Sequence, residues 1–162
     1  MLSIVKLGDP ILKRHSVVVP EVNEEIRTLV DGMIEAMDRD KGVGLAAVQV
    51  GRLLRLFVVR VPGDTARVFI NPDILETSIE QAPFEEGCLS IPGMYTDVIR
   101  PTSVRIQAWN LKGRPFTLNA EGYLARVIQH EFDHLNGILF IDRIDPKRRQ
   151  RLLAAYEEKV EA

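Results

Sequence analysis

Histidine and cysteine are scarce in this chain of 162 residues, which contains three histidines and one cysteine. The single cysteine, Cys88, excludes a disulfide within the chain and favours a reducing compartment such as the cytosol. Long apolar runs are also missing, since none approaches the roughly 20 residues that a membrane-spanning helix requires. The first residues lack a charged segment followed by an apolar one, so we expect no signal peptide.

An excess of charge of one sign is also absent. The chain has 21 lysines and arginines against 23 aspartates and glutamates, which leaves a net charge of −2. No overall field would therefore draw it to nucleic acid or to an anionic membrane, and we predict neither as a partner.

The remaining composition is ordinary for a globular protein, with 46% hydrophobic and 27% charged residues. The sequence contains no repeat, low-complexity tract or break in composition, so we predict a single domain over residues 1–162. A chain of this length buries about two-thirds of the surface that its unfolded form exposes. We expect a soluble protein of the cytoplasm.

The spacing of apolar residues predicts an early helix followed by several strands. The helix covers about 23–38, and Asn23 is a typical N-cap for it. Segments rich in β-branched residues and bounded by Gly and Pro predict strands at 53–61 and 66–72. Alternation predicts a further strand at 103–109. A turn at 110–113 would pair that strand with the segment 114–119, and 74–80 is a weaker candidate strand.

Two more helices are predicted in the last third of the chain. One spans about 121–136 and ends at Asn136-Gly137, and the other starts at Asp145-Pro146. This order predicts an α+β fold, in which antiparallel strands pack around a central helix, the second, flanked by an N-terminal and a C-terminal helix.

The predicted second helix carries two of the three histidines, in the stretch RVIQHEFDHLNG at 126–137. His130 and His134 are four residues apart and project from one helix face, with Glu131 beside them. This H-E-x-x-H pattern is typical of a divalent metal site in which the glutamate handles the proton of a metal-bound water. Chance would produce it in roughly one chain in a few hundred of this length. Two imidazoles and a carboxylate on a mostly apolar helix would be costly without a partner, and a metal supplies one.

The third metal ligand is less obvious from the sequence. The residues downstream offer only carboxylates, at Asp142, Asp145, Glu157, Glu158 and Glu161. Upstream, Cys88 lies in FEEGCLSIPG, and a lone cysteine is usually an inert core residue. Next to two helix histidines that lack a third ligand it becomes the better candidate, because Cys-His-His leaves the fourth position open for water. A closed structural site with Asp133 as a fourth ligand is the non-catalytic alternative.

Three stretches, GVGLAAVQVG (42–51), EGCLS (86–90) and QHEFDH (129–134), closely resemble the signature motifs of the peptide deformylase family. Their order and spacing also match, and the resemblance runs over essentially the whole chain. It implies one peptide-deformylase-like catalytic domain. It also implies an enzyme that removes the formyl group from the N-terminal formyl-methionine of newly synthesised chains and releases formate.

The resemblance implies that Cys88, His130 and His134 bind one divalent metal, natively Fe²⁺, which Zn²⁺, Ni²⁺ or Co²⁺ could replace. A metal-bound water would attack the formyl carbonyl, with Glu131 as general base and then general acid. The side-chain amide of Gln49 and the backbone N–H of Leu89 would stabilise the oxyanion.

The substrate-binding residues implied by the resemblance are Val43, Gly44, Phe84, Tyr123 and Val127. Substrates would be N-formyl-methionyl peptides and nascent chains of a bacterial-type or organellar translation system. The basic start of the final helix suggests a transient contact with the ribosome. A metallopeptidase that cuts ordinary peptide bonds with the same motif is the alternative function.

Two positions depart from the pattern or stand out. Tyr95 occupies a place where several family members carry a substrate-contacting arginine, and the nearby Arg100 is predicted to be structural. Arg126, inside the metal helix, is predicted to be salt-bridged or snorkelling, on the same side of the helix as Asp133.

Overall fold

Three helices and two antiparallel sheets form the fold, in a computed structural model that describes residues 1–161. The helices are α1 (Glu24–Arg39), α2 (Gly122–Leu135) and α3 (Pro146–Glu161). The strands are β1 (Gly44–Ala46), β2 (Leu56–Val59), β3 (Arg67–Thr77), β4 (Gln81–Cys88), β5 (Ile91–Pro101), β6 (Ser103–Trp109) and β7 (Pro115–Glu121). The predicted α+β class is confirmed.

The larger sheet has the strand order β1-β2-β3-β6-β7, and every neighbouring pair in it is antiparallel. β4 and β5 form a separate two-stranded sheet. β1 is one of the two edge strands of the larger sheet and β4 ends at Cys88, so both lead the chain into the region where α2 packs.

α1 forms where the sequence predicts it. The Asn23 side chain accepts a hydrogen bond from the backbone N–H of Ile26 at 3.0 Å, and Glu24 and Glu25 occupy the first turn. One face of the helix is buried against the larger sheet, because its apolar residues recur at helical spacing.

α2 is buried along most of its length, and its end is fixed by a close contact. Gly137 follows the helix with a φ of 73° and lies against the backbone of Lys13. A Cβ at this position would meet the carbonyl oxygen of Lys13 at 2.4 Å. The predicted left-handed end of this helix is therefore present, at Gly137.

α3 packs against the smaller sheet through buried Leu152 and Tyr156. Its polar side chains also hold it there, since Arg148 donates to the carbonyl oxygen of Asp97 at 2.6 Å. Near the end of the helix, the ammonium of Lys159 donates to the carbonyl oxygen of Pro92 at 3.2 Å. Within residues 1–161, no helix combines the length and apolar character needed to cross a membrane.

Two features of the sheets differ from the prediction. β4 and β5 were not predicted, because only a few of their residues are buried and no regular alternation marks them. β3 runs to Thr77 through the proline at 72, where the sequence suggested that the strand would end. Asn71 adopts a φ of 50° beside an irregular pairing with β6, and this bulge lets the strand continue.

Gly137→Ala should destabilise the protein by on the order of 3–4 kcal/mol, because left-handed strain adds to a collision with the Lys13 backbone. Gly63→Ala is the matched control, since Gly63 has a φ of 82° but open space around it. The control should lose only about 1–2 kcal/mol. Chemical unfolding measures both, and equal losses would contradict the role given to the contact.

Candidate metal centre and active-site cleft

A cleft of about 490 Å³ lies where β1, the end of β4 and α2 meet. Val43 and Gly44 line one side, β4 contributes its last residue, Cys88, and the turn after it contributes Leu89. The residues that α2 adds are Tyr123, Arg126, Val127, His130 and Glu131. Three segments distant in sequence therefore meet around one space.

Cys88, His130 and His134 form a group that could hold a metal ion. One ligand atom from each lies within 4.8 Å of the others, and the Cys88 Sγ is 3.5 Å from Nε2 of His134. The two histidines are buried, and the cysteine is half-buried at the end of β4. The helical spacing of the histidines brings their rings together, and the last residue of β4 supplies the thiol.

Glu86 orients the ring of His130. One carboxylate oxygen of Glu86 lies 3.0 Å from Nδ1 of His130, and the same carboxylate accepts hydrogen bonds from Arg100 at 2.7 and 3.0 Å. Burial by itself raises the pKa of Glu86, but the hydrogen bonds from His130 and Arg100 outweigh it and lower that pKa to about 2. An ionised carboxylate can only accept, so Nδ1 of His130 carries a proton, and Nε2 is the ring nitrogen that would bind a metal in place of its own proton.

The electrostatics of the group suit a cation. Burial, together with the charges on His130 and Arg100, lowers the pKa of His134 well below its usual range, so this ring is neutral. Burial disfavours a charged His130, but hydrogen bonds to Cys88 and Glu86 raise its pKa well above the usual value. The negative groups that favour a proton on His130 would equally favour a divalent ion. A thiolate and two imidazoles fit Fe²⁺, Co²⁺, Ni²⁺ and Zn²⁺ alike.

Glu131 lies beside this group with one oxygen unused. Within residues 1–161, its buried Oε1 has no hydrogen-bond partner, and its Oε2 lies 4.0 Å from Nε2 of His130. Burial raises the pKa of Glu131 to about 7. A carboxyl group with a pKa near neutrality can both accept and donate a proton at physiological pH.

Gly44 leaves room for Glu131. A Cβ at Gly44 would come within 2.5 Å of Oε2 of Glu131, so any larger residue would displace the carboxyl group. This close approach explains why one position of the GVGLAA stretch is occupied by glycine.

The amide of Gln49 is held in one orientation. Its Oε1 accepts from the backbone N–H of Ala46 at 2.9 Å. Its Nε2 donates to Oγ of Ser90 at 3.0 Å and to Sγ of Cys88 at 3.4 Å. The N–H₂ group therefore faces the thiol, and Leu89 lines the cleft next to it.

Four of the five predicted substrate-binding residues, Val43, Gly44, Tyr123 and Val127, line the cleft. Phe84 does not, because its half-exposed ring packs against Tyr123 with a centroid distance of 5.4 Å. It supports a wall of the cleft from outside. Tyr95, at the departure from the family pattern, lines the cleft and packs closely on Gly87.

A buried charged network surrounds the metal group, and the sequence revealed only parts of it. Arg100 joins Glu86 to Asp133 with a further bond of 2.8 Å, which accounts for its predicted structural role. Arg126 forms a salt bridge, as predicted. Its partner is Glu86 at 3.2 Å and not Asp133, the carboxylate expected on its side of the helix. Asp133 is engaged by Arg100 and Arg143 and does not belong to the metal group, so a closed site with Asp133 as fourth ligand has no support.

The fold and the cleft define an α+β protein with a Cys-His-His group that could hold a metal ion. The polypeptide deformylase family model matches residues 1–150. The peptide deformylase of Treponema pallidum (strain Nichols) is 52% identical over 150 residues, which cover 93% of this chain and 92% of that protein.

Solved structures agree with this assignment. The crystal structure of peptide deformylase from Ehrlichia chaffeensis has a TM-score of 0.95 and 36% identity, covering 99% of this chain and 97% of that one. A peptide deformylase from Synechococcus elongatus in complex with actinonin has a TM-score of 0.91 and 40% identity, covering 95% of this chain and 86% of that one. The chain belongs to the polypeptide deformylase family, and the prediction from the three motifs is confirmed.

Arg100→Met should lower the free energy of unfolding of the metal-loaded protein by about 3–5 kcal/mol, because it leaves the buried carboxylates of Glu86 and Asp133 short of a partner. Arg143→Met is the control: its side chain is 46% exposed, so its loss should cost under about 1 kcal/mol. Denaturant unfolding compares the two variants. A loss for Arg100→Met no larger than for Arg143→Met would show that the buried network contributes little.

Proposed function

We propose that this chain, as a single catalytic domain over residues 1–162, removes the formyl group from the N-terminal formyl-methionine of newly synthesised polypeptides and releases formate. The observation that carries the proposal is the position of Glu131. Its unpartnered oxygen lies beside the Cys-His-His group, in a cleft open to a peptide. The family to which the chain belongs gives this arrangement its reaction.

The metal would be held by Cys88, His130 and His134, and we expect Fe²⁺ as the native ion, with Zn²⁺, Ni²⁺ or Co²⁺ as substitutes. A divalent ion bound there supplies Lewis-acid polarisation and makes hydroxide available near neutral pH. The central helix α2 is therefore the metal-binding H-E-x-x-H helix of the fold. Glu86 keeps the His130 ring in the tautomer that leaves Nε2 available.

Glu131 moves the proton. Its Oε1 accepts a proton from the attacking water and then delivers it to the nitrogen of the departing methionine amine. A pKa of about 7 lets the same carboxyl group serve in both directions. The missing side chain at Gly44 keeps space for this group to act.

Gln49 and Leu89 stabilise the charge that develops on the formyl oxygen. Gln49 offers its fixed Nε2–H, and Leu89 offers its backbone N–H. Val43, Gly44, Tyr123 and Val127 line the space for the methionine side chain, and Phe84 supports Tyr123. The alternative, cleavage of internal peptide bonds, is not favoured, because the family assignment and the use of Cys88 instead of a downstream acidic residue both argue against it.

The activity is tested by formate release from a formyl-Met tripeptide, using protein purified without oxygen and loaded with Ni²⁺ or Fe²⁺. Glu131→Gln should lower kcat by about 10²–10⁴-fold, because it keeps the shape but cannot take the proton. Glu35→Gln, at an exposed position on α1, is the matched control and should be unaffected. The acetyl-Met tripeptide should remain intact. No formate from the folded, metal-loaded wild type would overturn the proposed function.

A transient contact with the ribosome through α3 remains our proposal for a partner, with nascent chains in the cytoplasm as substrates. Arg148 and Arg149 are used inside the protein, bonded to Asp97 and Asp142. Lys147 and Arg151 are exposed and are therefore the residues that would face ribosomal RNA.

Reversing both charges, with Lys147→Glu and Arg151→Glu, should reduce co-sedimentation with ribosomes by several-fold at low salt. The same reversal at exposed Lys112 and Arg114, in the turn between β6 and β7, is the control for net charge. Equal co-sedimentation of both double variants would remove the proposed contact. Substitution is preferable to truncation, because α3 buries Leu152 and Tyr156.

A further inference from the structure

The N-terminal arm, residues 4–7, lies across the two segments that carry the proposed oxyanion donors. The backbone N–H of Val5 donates to the carbonyl oxygen of Gln49 at 2.7 Å. Two residues later, the backbone N–H of Leu7 donates to the carbonyl oxygen of Ser90 at 2.8 Å. The arm therefore bonds to both sides of the site.

Lys6, between these two residues, makes a third contact. Its ammonium donates to the carbonyl oxygen of Leu89 at 3.3 Å. Three consecutive residues of the arm thus bond to Gln49, Leu89 and Ser90, of which the first two are the proposed oxyanion donors.

The arm is anchored to the rest of the fold independently of the site. Ile4 is buried in the same core as α1, and Val5 and Leu7 pack against the cluster that includes residues of α3 and β5. Two residues before Ile4 in the chain, the carbonyl oxygen of Leu2 accepts a hydrogen bond from Arg39 of α1 at 3.0 Å. The position of the arm is therefore set by α1 and by the apolar core.

The two segments that the arm joins are also linked directly by the side-chain amide of Gln49, which donates to Ser90 and to Cys88. Gln49 and Ser90 are 41 residues apart and are connected through the side-chain bond from Nε2 to Oγ at 3.0 Å. They belong to different sheets, because Gln49 follows β1 and Ser90 follows β4. Oxyanion stabilisation depends on donors placed to within about 0.5 Å, so the distance between these segments matters.

We infer that the N-terminal arm is a positioning element for the reaction: its backbone donors at Val5 and Leu7, with the Lys6 ammonium, set the distance between Gln49 and Leu89. This inference rests on the proposed function. None of the three arm residues lines the cleft or touches substrate, so they act through Gln49 and Leu89.

Val5→Pro tests the inference, because proline removes the donor to Gln49. It should lower kcat for the formyl-Met tripeptide by about 10-fold with little change in KM, as expected when donors shift by a fraction of an ångström. Val5→Ala keeps the N–H and controls for lost side-chain packing. Ser3→Pro introduces the same rigid residue at the exposed position just before the arm and should leave kcat unchanged.

A double substitution separates positioning from simple loss of structure. Gln49→Leu removes the amide donor but keeps the backbone carbonyl that Val5 contacts. In that background Val5→Pro should lower kcat by less than about 2-fold, because the donor that it would misplace is already absent. A 10-fold loss in both backgrounds, or a Val5→Pro variant no slower than Ser3→Pro, would overturn the inference while wild-type formate release still supports the function.

Lys6→Met provides a second test if Val5→Pro does not fold. It removes only the ammonium from an exposed side chain, and kcat should fall by roughly 3-fold relative to Lys112→Met, an exposed lysine far along the chain. Equal rates for these two variants would overturn the inference, because the ammonium is one of the three groups that it names. A wild type that releases no formate would overturn the proposed function and, with it, the inference.

Discussion

The buried carboxylate of Glu86 is the group on which the rest of the site depends. It accepts hydrogen bonds from His130, Arg100 and Arg126, and so joins β4 and β5 to the metal helix α2. A buried charge is tolerated only when such partners compensate for the water that it has lost. These hydrogen bonds fix the geometry of the site, because they prevent the His130 ring and the end of β4 from moving independently.

The same cluster separates the roles of two glutamates that lie close together. Glu86 is surrounded by donors and is ionised, with a pKa of about 2, whereas Glu131 lacks such donors and has a pKa of about 7. Environment alone makes one carboxylate a fixed acceptor and the other a group able to exchange protons. Gly44 completes the arrangement by leaving space at the second carboxylate.

The sequence predicts those parts of the structure that follow local rules. The cap at Asn23, the turn at Gly137 and the helical spacing of His130 and His134 are local, and each predicted element is present. The partners of Arg126 and Arg100 could not be predicted, because they depend on how β4 and β5 fold over α2, and these two strands carry almost no apolar alternation. The position of Phe84 could not be predicted for the same reason. A phenylalanine suits an apolar pocket, but in β4 its ring points outward and packs against Tyr123.

The segments that build the site are spread from the beginning of the chain to near its end. The arm at residues 4–7 meets Gln49 and Ser90, and α2 completes the cleft only at His134. During synthesis, the arm can meet α1 and Gln49 early, but its partners Leu89 and Ser90 follow only after more than half of the 162 residues. The site is therefore complete only once the chain has been made through His134, and a copy that ends before this residue cannot act as a deformylase.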